Sequence, residues 1–300
     1  MLIDIHVHCH KKRHPKVRRQ EGSQYPTPER LIAMMDKNGV DMAVLMCSVS
    51  PECRNTLVLP EEVLEICAMF PDRFIPFFNL DGRYLHNDTR ADFRPLIEAY
   101  IEMGCKGVGE YFPNMPFDDP RNMNLFAQVQ EYGLPLTFHI APKAGGYYGL
   151  VDEIGLPRLE RVLKAFPNLI LLGHSTTFWA EISSTVTEEN RKEYPKGPVK
   201  PGRVVELMRE YPNLHGDLSA GSGYNAISRD PEFGYAFMEE FQDRLYWGTD
   251  IANDPQEPPN VQYFQKLRSE HLIPTEVWQK ITSINACRLL NLRQSETKRR

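Results

Sequence analysis

The chain has 300 residues, 41% of them hydrophobic and 25% charged, with a formal net charge of -5. That composition supplies a sizeable core and excludes a disordered chain. No global basic field would draw in nucleic acid or an anionic membrane, and no apolar run approaches the ~20 residues of a transmembrane helix, so neither is an expected partner.

In chain order, Met1-Leu2-Ile3-Asp4-Ile5-His6 enters a strand at once, without the basic segment and cleavage pattern of a secretory signal, and the cytoplasm is the expected compartment. Strand-like runs follow at 2–8, 41–46, 74–79, 107–112, 136–140, 169–174, 214–218 and 245–249. Amphipathic helical patterns alternate with them at 27–38, 60–70, 90–103, 121–132, 156–166, 202–211, 231–241 and 260–270, and a last helix covers 275–290. Phe70-Pro71, Phe166-Pro167 and Tyr211-Pro212 each place a proline just past a helix, where its ring and missing N–H stop propagation.

Eight strand-then-helix units predict an α/β fold with a parallel sheet closed as a (β/α)8 TIM barrel. An open doubly wound sheet is the competing arrangement. One domain is expected over 1–292, with a polar flexible tail at 293–300. Cys9, Cys47, Cys53, Cys67, Cys105 and Cys287 form no Cys-x-x-Cys pair and read as small buried hydrophobes.

His6-Val7-His8 closes the first strand, where a period of two puts both imidazoles on one face, within reach of one metal ion. His139 closes the fifth strand, His174 the sixth, and Asp250 follows the eighth, so all five converge on the C-terminal mouth of a barrel. Hydrogen-bonded histidines at strand ends are the bland alternative.

Two connections, 9–26 and 175–200, are long for simple turns, and both leave the C-terminal face. The second, with Phe178 and Trp179, is a candidate lid, and Trp179 a candidate substrate contact. The first carries Lys11, Lys12, Arg13, Lys16, Arg18 and Arg19, a basic run that suits an anionic substrate, with Arg13 as its candidate contact. His10 and His14 in the same loop read as surface histidines. Asp217-Leu218-Ser219 ends the seventh strand, and 221–225 reads as a flexible loop, so Ser219 and Tyr224 are further substrate-binding candidates, with structural capping as the alternative. Ser222 lacks a Gly-x-Ser-x-Gly elbow and is not a nucleophile candidate.

The order Ile3-Asp4-Ile5-His6-Val7-His8, His139, His174, Trp247-Gly248-Thr249-Asp250 and Asn285-Ala286-Cys287-Arg288-Leu289-Leu290 resembles the amidohydrolase superfamily, in the amidohydrolase-related branch that includes decarboxylases similar to the aminocarboxymuconate semialdehyde enzyme. The resemblance implies that His6, His8, His139 and Asp250 bind a divalent ion, with His174 as a second-site ligand or acid/base, and that Asp250 accepts a proton from the attacking water. Zn2+ is the favoured ion for such nitrogen and carboxylate ligands, and Mn2+, Fe2+ or Co2+ also suit them. Glu110 ends strand four, where binuclear members carry a bridging carboxylate, so one or two ions are expected. The implied activity is hydrolysis of an ester, lactone or amide-type bond in a small polar substrate, possibly an anionic one. Non-oxidative decarboxylation of a small aromatic or dienoic acid is the alternative, and a non-catalytic, metal-stabilised barrel is a third reading. A homodimer is the base-rate expectation.

Overall fold

The computed structural model describes residues 1–14, 16, 18, 22–52 and 57–292. Arg19, Cys53 and the tail at 293–300, each given a reading above, lie outside the described residues.

The barrel strands are β1 (Ile3–Val7), β2 (Met42–Leu45), β3 (Phe74–Pro76), β4 (Val108–Tyr111), β5 (Leu136–Ala141), β7 (Leu171–His174), β8 (Leu214–Asp217) and β9 (Leu245–Tyr246), and a two-residue β6 (Leu150–Val151) pairs only with the end of β5. Every pairing is parallel. The ladders run β1-β2-β3 and β4-β5-β7-β8-β9, and single backbone hydrogen bonds carry the ring over both seams. Gly109 N donates to Phe78 O at 2.8 Å on one side, and Ile5 N to Trp247 O at 3.1 Å and Asp250 N to His6 O at 2.9 Å on the other.

The helices outside the ring are α1 (Pro28–Lys37), α2 (Pro60–Met69), α3 (Arg94–Glu102), α4 (Pro120–Glu131), α5 (Pro157–Ala165), α6 (Thr176–Ala180), α7 (Arg203–Glu210), α8 (Ala220–Ser228), α9 (Pro231–Glu240) and α10 (Pro259–Ser269). Proline opens many of them, at the first-turn position where its missing N–H costs nothing. The expected last helix is broken into α11 (Thr275–Gln279), a π turn (Lys280–Ile284) and α12 (Asn285–Leu289).

The three aromatic-proline junctions form one repeated device. Phe70, Phe166 and Tyr211 are the C-caps of α2, α5 and α7, and each donates its N–H four residues back. Each then accepts from the residue three further on, Arg73, Leu169 or Leu214, at 3.0 to 3.1 Å. Proline at the second position of that turn has the φ the turn requires. The turn therefore delivers the chain straight into β3, β7 or β8.

Alternate strand residues divide the core into two layers. Leu45, Phe74, Leu136, Phe138, Leu171 and Leu214 face the helices, while Ile3, Ile5, Met42, Val44, Met46, Ile75, Phe77, Leu172 and Tyr246 fill the barrel, floored by Ala286 and Leu290 of α12. Cys9, Cys47, Cys67 and Cys105 are free and buried, in line with their reading as small hydrophobes, and Cys287 is half-buried. No helix among the described residues is long and apolar enough to cross a membrane.

Phe77 occupies space that only glycine leaves open, since a Cβ on Gly107 would stand 2.4 to 2.8 Å from its ring atoms. Phe77 is fully buried and has nowhere to retreat. Gly107→Ala is expected to cost about 1–3 kcal/mol by overpacking. Denaturant melts should show that loss, and the double variant Gly107→Ala/Phe77→Leu should recover part of it; additive losses would show that this contact is not the cause.

Two long segments depart from expectation. Residues 221–225 are not a flexible loop but the body of α8, and its glycines let it pack tightly, as at Gly223, where a Cβ would lie 2.4 Å from the Leu218 backbone. The front of the candidate lid is α6, whose Phe178 and Trp179 are buried against Gly173 and Gly216 on the outer face of β7 and β8.

Candidate metal centre at the barrel mouth

Strand alternation alone would aim His6 outwards, because Ile3 and Ile5 already face the barrel interior. A register shift between Asp4 and Val7 changes the phase, so that Val7 and Cys9 face the helices and His6 and His8 turn into the mouth. A second irregularity between Val108 and Tyr111 does the same for Glu110 on β4.

Buried Asp4 fixes the first bend. Its carboxylate accepts from His6 N at 3.0 Å, from Thr249 N at 2.9 Å and from the Thr249 hydroxyl, tying β1 to the segment that carries Asp250. Burial raises its pKa to about 7 against those hydrogen bonds.

Four side chains then meet at close range. His6 Nε2 lies 3.0 Å from His8 Nε2, 3.7 Å from Glu110 Oε2 and 3.9 Å from Asp250 Oδ1. His8 Nε2 lies 3.5 Å from Glu110 Oε2 and 3.6 Å from Asp250 Oδ1. His174 Nε2 is 3.9 Å from Asp250 Oδ2, and its ring is 4.5 Å from that of His6 and 5.7 Å from that of His139. His139 stacks obliquely on Tyr148 at 4.3 Å.

The ligating atoms of His6, His8 and Glu110 all lie within 4.8 Å of one another, as do those of Glu110, His139 and His174. Glu110 belongs to both groups. Ligand atoms about 2.0–2.2 Å from a tetrahedral ion stand roughly 3.3–3.6 Å apart, so the separations around His6 and His8 are of the right size for one. His8 Nδ1 is buried without a hydrogen-bond partner, so the ring's polar contacts all lie on its Nε2 edge, towards His6, Glu110 and Asp250. The donor set fits a divalent cation.

The electrostatics agree. Burial would push His6 down, but the Asp217 carboxylate, with Glu110 and Asp250, holds it well above the ordinary histidine value. His174 is likewise raised against burial by Asp217, while His6 and His8 hold Glu110 well below the usual carboxylate range although burial opposes it. Three carboxylates around these rings draw in positive charge, whether as protons or as a cation.

The four candidate substrate contacts take different places, and Ser219 borders the cluster itself. Arg13 donates to Tyr25 O at 2.8 Å and pairs with Asp254, which also holds Arg30 at 2.9 Å, so its charge is already matched. Lys11, in the same basic run, pairs with Glu65 at 2.6 Å. Trp179 sits behind β8, its indole donating to Asp217 O at 2.9 Å. Ser219 is buried with its hydroxyl 3.1 Å from His174 Nδ1. Tyr224 lies on α8 with its ring edge-on to Tyr263 at 5.5 Å.

Two positions beside the cluster went unassigned in the sequence. Asp217 lies behind both His6 and His174, and its place at the end of β8, in line with the other ligand-bearing strand ends, was the signal available. Tyr194 reaches from the 181–201 connection to Thr176 and over Gly221, two residues past His174 and Ser219 respectively. Nothing in its local sequence marks it.

The amidohydrolase family model matches residues 3–292. The chain therefore belongs to the amidohydrolase family. No protein of curated function matches it at a significant level. Among solved structures it is similar to an uncharacterized TIM-barrel protein from Bordetella bronchiseptica (18% identity, TM-score 0.66, covering 97% of this chain and 98% of that one). It is also similar to a probable 2-pyrone-4,6-dicarboxylic acid hydrolase from Acinetobacter baumannii with citric acid bound (13%, 0.57, 97% and 99%). A third is a dihydroxybenzoic acid decarboxylase from Polaromonas with bound manganese and the inhibitor 2-nitroresorcinol (17%, 0.53, 90% and 88%). At these identities the likeness is one of fold.

Proposed function

We propose that the protein is a metal-dependent hydrolase that cleaves an ester, lactone or amide-type bond in a small polar substrate. His6, His8 and Asp250 would hold one divalent ion and His139 with His174 a second, with Glu110 shared between them. The observation that carries this reading is the position of Glu110 in both groups of ligating atoms. Zinc suits the donor set, and manganese is supported by its presence in one relative of the same fold. When bound, such an ion lowers the pKa of water and polarises a substrate oxygen.

The chain's own residues supply the rest. Among His6, His8, Glu110 and Asp250, the Asp250 side chain is the most open, 26% exposed against 0–7% for the other three. It accepts a proton from the attacking water and returns it to the leaving group.

A second reading, non-oxidative decarboxylation at a single ion, is supported by the decarboxylases among the structural relatives. His174, raised by Asp217 and facing Asp250, would then carry the proton to carbon instead of ligating a metal. Metal content per chain for wild type and Glu110→Gln separates the two. Two ions falling to one supports the shared-carboxylate hydrolase; one ion in both, with carbon dioxide released from dihydroxybenzoates, supports the decarboxylase. Protein that holds no metal after chelator-free purification and zinc or manganese supplementation rules out both.

A further inference from the structure

Asp217 is fully buried on the side of the cluster away from the mouth, and both of its oxygens are engaged. Oδ2 lies 2.7 Å from His6 Nδ1 and 3.3 Å from His174 Nδ1. Oδ1 accepts from Ser219 N at 2.9 Å, and the Ser219 hydroxyl is in turn 3.1 Å from His174 Nδ1. One carboxylate thus fixes the first ring directly and the second both directly and through a serine.

We infer that Asp217 is a positioning residue that sets the tautomer of both histidines, keeping the proton on Nδ1 so that both Nε2 lone pairs point into the cup. This rests on His6 and His174 being metal-site residues. With Nδ1 committed to Asp217, His6 has only Nε2 to offer, and Nε2 is the atom that faces His8, Glu110 and Asp250. A carboxylate on the far nitrogen of a ligating imidazole raises its basicity and fixes its rotation. Here one such group serves a ring from each half of the centre, so its loss disturbs both halves together.

The rival is that Asp217 is itself a ligand, since its oxygen also lies within 4.8 Å of nitrogens of His6 and His174. Its engagement with the Nδ1 edges and with Ser219 N argues against this, and a stoichiometry decides it. Chelator-stripped full-length wild type and Asp217→Asn are titrated with Zn2+ alone against a chromophoric chelator, and with Co2+ followed by visible absorption. Asparagine is uncharged, and its single oxygen cannot face the two rings and also accept from Ser219 N, so positioning predicts an unchanged number of ions bound about 10–100-fold more weakly. Loss of a whole ion makes Asp217 a ligand, and unchanged affinity leaves it a purely structural acid; either overturns the inference.

A measurement on wild type needs no variant to fold. Nitrogen-15 histidine spectra of the zinc-loaded protein should show His6 and His174 protonated at Nδ1, and an Nε2–H tautomer at either contradicts the proposal. Wild type that binds no zinc or cobalt ends the metal reading itself, whereas tight binding unaffected by Asp217→Asn ends only the positioning role.

Discussion

Asp250→Asn is expected to reduce kcat by about 10²–10⁴-fold while leaving KM and the fold nearly unchanged. The carboxylate stands where the two halves of the cluster meet, with Oδ1 3.6 Å from His8 Nε2 and Oδ2 3.9 Å from His174 Nε2. Its backbone is held independently of its charge. Asp250 N donates to His6 O at 2.9 Å, Gln256 donates to Asp250 O at 2.9 Å, and the residue sits at φ +53°, a left-handed conformation that aspartate and asparagine tolerate better than most. Asparagine therefore keeps the shape and removes the ability to take a proton. Steady-state kinetics on the substrate found by screening lactones, esters and dihydroxybenzoates, with metal content measured alongside, test this. A drop under tenfold would deny Asp250 a proton-transfer role, and a drop that tracks lost metal would trace the loss to its place as a ligand and not to proton transfer.

The largest expected stability effect lies away from the chemistry, at Arg191 and Glu181, which are 0% and 1% exposed and paired at 2.8 Å. Arg191 also donates to Asp152 O and Glu153 O, fastening the connection that carries Tyr194. Burial raises Glu181 to about 7, with Arg191 opposing the shift but not cancelling it. Because the folded pKa is above the unfolded one, this group's contribution is fully present below pH ~4.5 and is lost as pH rises through about 7, a change of about 3 kcal/mol.

Removing the arginine sharpens that slope. Above pH 8, Arg191→Met leaves a buried carboxylate without its cation, and a loss of about 3–5 kcal/mol is expected. At pH 5.5 Glu181 is protonated in either protein, and the loss should shrink towards that of the two carbonyl contacts. Urea melts at both pH values, with Arg191→Met/Glu181→Gln as reference, check the sign. Equal losses at both pH values, or a double variant no more stable than the single at pH 8.5, would show that the charge is not what matters.

The chain by itself determined the architecture, because the signals that specify it are local. A period of two against a period of 3.6 separates strand from helix, and the aromatic-proline turns that deliver the chain into β3, β7 and β8 are written in consecutive residues. The same locality placed His6, His8, Glu110, His139, His174 and Asp250 at strand ends, and strand ends of a parallel barrel share one mouth.

What the tertiary structure decided is everything that depends on a neighbour distant in sequence. Alternation from Ile3 and Ile5 would have sent His6 to the helices, and only pairing with β2, with Asp4 anchored to Thr249, turns it inward. Trp179 has the chemistry of a substrate contact, but close approach at Gly216 commits it to the outer face of the sheet. The cations of the first long loop were visible in sequence, whereas Asp254 and Glu65, which pair with Arg13 and Lys11, lie 241 and 54 residues away. Asp217 is the plainest case. Composition marks it only as an acid after a strand, and its role comes from two histidine nitrogens on β1 and β7 that no local pattern could bring to one oxygen.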